Sequence, residues 1–265
     1  MKDDLGNRIK EQYENRTRYM LPRRTYTIIR LDGCHFKTYT RGLNKPFDKD
    51  LYEDIDNAII AMLPQIQGAV FAYTQSDEIS ILLTDFATPG TDAWFDGNLQ
   101  KMASVSASIL TAEFNRNRLQ RFVEKRSLNL LRDDAPIAYF DSRVFTIPDR
   151  IEVMNYFIWR NQDCSRNSVS MVAQSKFSHK ELHGKSTPQM HEMLHGIGVN
   201  WATDYSDGEK NGRLIVKEEY IPQVAEWKDV LIANPTAKRT HWVAKGAWKF
   251  TENKEKLLSM IPAYE

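Results

Sequence analysis

The 265 residues suffice for one large domain or two smaller ones, and either size can bury a hydrophobic core. With 36 basic residues against 35 acidic ones, a globally basic nucleic-acid binder is excluded, so any such surface has to be a local patch. Cys34 and Cys164 fit neither a disulfide framework nor a cysteine zinc site, and no run of about 18 apolar residues occurs. The chain is therefore expected to be soluble, cytoplasmic and free of the membrane.

Leu5, Ile9 and Tyr13 recur at helical spacing, and Arg16, Arg18, Arg23 and Arg24 cluster around Leu21-Pro22. A short amphipathic helix and a basic turn are expected there. Residues 26–31 are rich in strand formers, and Asp32-Gly33 ends that run where the backbone can turn toward a ligand. Pro46-Phe47-Asp48 reads as a helix start, followed by Leu51, Ile55, Ala58, Ile59 and Met62 on one face of a helix over 48–63. Residues 69–73 form a second strand ending in Ser76-Asp77-Glu78, and 79–83 a third. Two adjacent strand ends bearing carboxylates would make a site for a hard cation such as Mg²⁺.

A turn-rich loop at 85–92 precedes a long helical pattern over 94–117, which ends in Arg116, Arg118, Arg121, Lys125 and Arg126. Ala138-Tyr139-Phe140 reads as a further strand, closed by Asp141-Ser142-Arg143-Val144-Phe145. The order strand, helix, strand, strand, helix, strand predicts an α+β fold of the ferredoxin-like βαββαβ type, the palm of many nucleotide polymerases and cyclases. It spans residues 1–145, and 146–265 is expected to be a helical, fingers-like region. Within it, helices are expected from 153 and at Ser186-Thr187-Pro188-Gln189, and Asn211-Gly212 reads as a hairpin turn.

An ordered set of short motifs resembles the tRNA-His guanylyltransferase and guanylyltransferase-like family of reverse, 3′-to-5′ nucleotidyltransferases. The matching stretches are Asp4-Leu5-Gly6-Asn7-Arg8, Ile29-Arg30-Leu31-Asp32-Gly33 with Phe36, Lys45-Pro46-Phe47-Asp48, Tyr73-Thr74-Gln75-Ser76-Asp77-Glu78, Lys101 followed by Ser104, and Phe140-Asp141-Ser142-Arg143. They keep order and spacing over about the first 145 residues, with weaker similarity to about Gly212.

The resemblance implies that Asp32 and Asp77 bind two Mg²⁺ ions with help from the Gly33 carbonyl, and that Glu78 is needed at the same place. Two metals suit phosphoryl transfer, because one can activate an attacking 3′-hydroxyl while the other neutralises charge on a triphosphate. The implied substrates are the 5′ end of a tRNA and nucleoside triphosphates, GTP and ATP, in a homotetramer arranged as a dimer of dimers. Lys45, Asp48, Ser76 and Lys101 match positions on the nucleotide side, with Lys45 toward phosphate and Asp48 toward a guanine edge. Backbone N–H groups along Gly33-Cys34-His35-Phe36-Lys37 are expected to cradle the triphosphate. Where the eukaryotic guanylyltransferases carry His-Ile-Asn-Asn, this chain has Ser165-Arg166-Asn167-Ser168 and keeps only Asn167. That departure resembles the guanylyltransferase-like branch, which repairs 5′-truncated tRNAs by templated addition. Addition of a single G to tRNA-His is the alternative within the family.

His191-Glu192-Met193-Leu194-His195 has the H-E-x-x-H pattern of zinc peptidases, in which two histidines hold Zn²⁺ and the glutamate activates water, and it stands as a remote rival. Gly184-Lys185-Ser186 resembles the end of a P-loop but lacks the earlier glycine, since His179 occupies that position. For RNA contact the candidates are Arg143, Asn167 and the basic, aromatic run Lys238-Arg239-Thr240-His241-Trp242, with Arg116 to Arg126 as a second strip.

Overall fold

The first strand, β1 (Tyr26–Gly33), turns Ile28 to one face and Ile29 and Leu31 to the other, and all three side chains are fully buried. A strand apolar on both faces belongs inside a sheet covered on both sides. The computed structural model, which describes residues 3–127, 136–221 and 238–264, has that arrangement.

In chain order the helices and strands are α1 (Asp4–Gln12), β1, α2 (Phe36–Tyr39), α3 (Lys49–Met62), β2 (Ala69–Gln75), β3 (Glu78–Leu83), α4 (Leu99–Ser127) and β4 (Phe140–Ile147). There follow α5 (Arg150–Lys176), α6 (His179–Leu182), α7 (Thr187–Gly196), α8 (Trp201–Asp204), α9 (Asp207–Asn211), β5 (Arg213–Tyr220), β6 (Arg239–Gly246) and α10 (Lys254–Met260). The sheet runs β4-β1-β3-β2-β5-β6, antiparallel at every neighbour. Its first four strands are the expected ferredoxin-like palm. After residue 145 the chain supplies the expected helices and also two strands that extend the palm sheet.

Helices α3 and α4 cover the Ile29 face through Ile55, Ile59, Leu110 and Phe114. The Ile28 face is covered by α5 and α10 through Val153, Phe157 and Leu257. A smaller core, with Val169, Val172 and Leu194, packs α6 and α7 on the far end of α5. Asp54 fastens α3 to α4, accepting from Arg118 Nη1 at 2.8 Å and Arg121 Nε at 2.9 Å. Among the described residues no helix is long and apolar enough to cross a membrane.

Four expectations shift. Asp141, Ser142 and Arg143 lie inside β4 rather than closing a strand at Phe140, because they continue the ladder with Asp32, Leu31 and Arg30. The long helix starts at Leu99; Trp94–Gly97 is a separate turn whose Phe95 and Asp96 have φ of 49° and 53°. The helical segments expected around Cys164 are a single helix of 27 residues. Asn211-Gly212 ends α9 instead of turning a hairpin. Gly212 has a φ of 82°, and a Cβ there would stand 2.7 Å from the Thr74 carbonyl, so the helix stops where only glycine fits.

Candidate active site

Ser76 and Asp77 form a two-residue turn between β2 and β3, since Gln75 and Glu78 are paired in the ladder. Ser76 takes a φ of 49°, uncommon for a residue with a side chain, and its hydroxyl donates to Asp77 Oδ1 at 2.9 Å. One strand away, β1 carries Asp32 out to the same end of the sheet. Both carboxylates line one cleft of about 580 Å³ between the sheet end and α5, with Lys37, Ser76, Asn167 and Ser168 among its walls.

Burial pushes Asp77 up from 3.8 to about 6, and the nearby charges of Asp32 and Glu78 push the same way, against the Ser76 hydrogen bond. Asp32 is also raised, by partial burial first and then by Glu78 and Asp141, with Arg30 and Arg143 opposing. Arg143 Nη2 is 3.9 Å from Asp32. Asp77 has no ion pair among the described residues. Two hard oxygen donors that repel each other in one cleft are a donor set suited to a divalent cation.

Glu78 differs from both. Arg160, from α5, holds it with Nε to Oε1 at 2.6 Å and Nη2 to Oε2 at 2.8 Å, and Arg30 Nη2 adds a bond to Oε2 at 2.6 Å. Arg160 also donates to Asp163 at 2.9 Å. Glu78 therefore acts as an anchor for the turn that bears Asp77 rather than as a free carboxylate. Sequence reasoning missed Arg160; its signal was a cation inside the apolar helical run Tyr156-Phe157-Ile158-Trp159.

Several residues expected on the nucleotide side are not walls of this cleft. The Asp48 carboxylate accepts from Leu51 N at 2.9 Å and Asn44 N at 3.0 Å, and so caps α3. Phe36 is a core side chain, stacked on Tyr39 at 4.8 Å and tilted against Phe140 at 5.4 Å. Cys34 N donates to the Tyr139 carbonyl at 2.8 Å, and Gly33 is paired with Phe140, which confines the expected cradle to the N–H groups of His35, Phe36 and Lys37. Lys45 and Lys101 are exposed and stand outside the cleft walls, the Lys101 Nζ lying 5.8 Å from the Phe95 ring centroid.

The RNA candidates divide in the same way. Asn167 lines the cleft, and Arg143 on β4 lies 3.9 Å from Asp32. Trp242 is partly buried against the α3/α4 core, Lys217 lies 5.0 Å from its ring, and Lys238 pairs with Glu219 at 2.8 Å. Arg239 opens β6 on an exposed stretch. Arg118 and Arg121 are bound to Asp54, whereas Arg116, paired with Glu113, is exposed; the side chains of Lys125 and Arg126 lie outside the described residues. His191 packs edge-on against Trp201 at 5.4 Å on α7. No group of three or more His, Cys, Asp or Glu side chains in metal-holding geometry occurs among the described residues, so His191, Glu192 and His195 gain no further ligand.

The model of a family described as tRNAHis guanylyltransferase matches residues 6–148. The tRNA(His) guanylyltransferase of Debaryomyces hansenii is 28% identical over 221 residues, 78% of either chain. A solved bacterial tRNA(His) guanylyltransferase-like protein in complex with ATP is 37% identical and superposes with a TM-score of 0.81 over 98% of this chain and 99% of that one. A second structure of such a protein, in complex with GTP, is 36% identical with a TM-score of 0.77 and the same coverage.

Proposed function

The chain belongs to the tRNA(His) guanylyltransferase family of nucleotidyltransferases, and from that premise we propose that it adds nucleotides to the 5′ end of truncated tRNA in the 3′-to-5′ direction, templated by the opposite strand. The 3′-oxygen of an incoming nucleoside triphosphate bonds to the α-phosphorus of a 5′-triphosphorylated RNA end, the bond to the leaving oxygen breaks, and pyrophosphate departs. The observation that carries this reading is the pair Asp32 and Asp77 at neighbouring strand ends in one cleft. Solved relatives bound to ATP and GTP support nucleotides as the ligands.

Asp32, Asp77 and the Gly33 carbonyl are the residues that would hold two Mg²⁺ ions, which when bound supply neutralisation of phosphate charge and a more acidic hydroxyl. Lys37 and the N–H groups of His35 to Lys37 bind phosphate at the cleft mouth. Glu78, clamped by Arg30 and Arg160, keeps Asp77 in place. Asn167 on the α5 wall faces the reacting end, at the stretch where the single-G enzymes carry His-Ile-Asn-Asn, and the buried Ser168 beside it accepts from Trp201 Nε1 at 2.9 Å. A homotetramer is part of the proposal, and the exposed Leu5 and Ile9 of α1 offer it apolar surface.

The test offers purified protein, Mg²⁺ and all four nucleoside triphosphates to full-length and 5′-truncated tRNAs bearing a 5′-monophosphate or triphosphate. Templated addition to truncated tRNAs is expected. A single G added to tRNA-His alone would replace this reading by strict guanylylation, the activity in the name of the Debaryomyces hansenii relative. No addition to any RNA would leave a tRNA-binding module. Asp77→Ala is expected to lower addition by about 10³-fold or more with the fold retained.

A further inference from the structure

Between Tyr156 and Arg160 four side chains are buried, at 8%, 0%, 8% and 4% exposure, and Trp159 alone is left in solvent at 48%. It is the only exposed tryptophan among the described residues. An indole so placed contributes little to the core, yet it is held in a fixed setting. The Arg160 guanidinium lies 4.3 Å from its ring centroid, Arg30 lies 5.8 Å away, and Tyr156 meets it edge-on at 6.0 Å. These two arginines are the ones that clamp Glu78.

Trp159 also lies along a line that leads to the reacting carboxylates. Arg30 is paired across the ladder with Arg143, on the edge strand β4, and Asp32 with Asp141 two residues further on. Arg143 is exposed on 56% of its side chain, and its only close acidic contacts among the described residues are loose ones, 3.9 Å to Asp32 and 3.7 Å to Asp141. An exposed ring, with a loosely held guanidinium one strand beyond the arginine beside it, offers the stacking surface and the phosphate contact that single-stranded and terminal nucleotides bind. Trp159 is not a wall of the Asp32–Asp77 cleft.

We propose that Trp159 is a stacking platform for a nucleobase at the end of the RNA, with Arg143 meeting an adjoining phosphate. The inference rests on the RNA-extending reading given above. Because Arg160 lies against the ring and also holds Glu78, a base stacked on Trp159 is registered against the turn that carries Asp77. The platform thereby sets how far the RNA end reaches into the cleft.

The experiment compares the full chain with Trp159→Ala and Trp159→Phe. Affinity for a 5′-truncated, 5′-triphosphorylated tRNA is measured by fluorescence anisotropy at one salt concentration, affinity for GTP by calorimetry, and the assembly state by sedimentation. Trp159→Ala is expected to weaken RNA binding roughly tenfold, with GTP affinity and assembly unchanged, and Trp159→Phe to recover most of the loss. Wild-type RNA affinity in Trp159→Ala overturns the platform, as does an equal loss for RNA and GTP. A changed assembly state also overturns it, by making Trp159 a contact between copies. If the unaltered chain binds the tRNA but adds no nucleotide, the reading of function fails, and the RNA arm still judges the platform.

Discussion

Arg160 reaches Glu78 with two hydrogen bonds, of 2.6 and 2.8 Å, across 82 residues of chain. The two side chains are 5% and 11% exposed, so each charge sits where it is costly without the other. Arg160→Met leaves Glu78 with Arg30 as its remaining cation and is expected to lower stability by about 3 kcal/mol. Glu78→Gln removes the charge that both arginines share. Urea unfolding of both single variants and the double variant decides the matter, because the double is expected to be less destabilised than the sum. Additive losses would show that the pair is not a unit.

The raised Asp77 makes a prediction about pH. Between 3.8 and about 6 the folded chain keeps a proton that the unfolded chain has released, so this group's contribution to stability falls as pH rises through that window. In EDTA, Asp77→Asn is expected to gain stability over the unaltered chain as pH goes from 4 to 7, by on the order of 2 kcal/mol. Mg²⁺ is expected to raise the melting temperature of the unaltered chain more at pH 7 than at pH 5. A difference between the two proteins that is flat with pH would remove the shift.

What the sequence made legible is local, and what it hid is long-range. Strands around Asp32 and Asp77 were readable because each apolar run ends in a carboxylate, and α3 because its apolar residues share one face. Pro46-Phe47-Asp48 is readable as a helix start, but the capping bonds on Asp48 from the N–H groups of Leu51 and Asn44 are visible only in the fold. Phe36 was read for its backbone, and its ring proved to be core. Arg160 could not be paired with Glu78 from the chain order, because nothing in a helix 82 residues away names its partner.

A buried anchor on the other side of the sheet is open to the same kind of test. Asp54 is 2% exposed and takes bonds from both Arg118 and Arg121. Asp54→Ala takes the carboxylate from Arg118, while Arg121 keeps Asp50 at 3.2 Å and Glu53 at 2.9 Å, and a loss of about 2–3 kcal/mol is expected in urea unfolding. Nucleotide addition at saturating substrate is expected to survive below the new melting temperature, since Asp54 is no part of the Asp32–Asp77 cleft. Loss of activity in a folded variant would tie the α3/α4 seam to the site.

Gly33 stands beside Asp32, and here the reason for glycine is space rather than φ. A Cβ at Gly33 would lie 2.2 Å from Cδ2 and 2.7 Å from Cγ of Phe36. That ring cannot withdraw easily, because Tyr39, Phe114 and Phe140 surround it with centroids at 4.8, 5.9 and 5.4 Å. Gly33→Ala must then move either the aromatic cluster or the end of β1 that positions Asp32. A loss of about 1–3 kcal/mol is expected, together with a fall in the rate of nucleotide addition. Phe36→Leu in the Gly33→Ala background is expected to cost less stability than in the unaltered chain, since it relieves the overlap. Equal costs in the two backgrounds would mean that Gly33 is required for something other than its approach to Phe36.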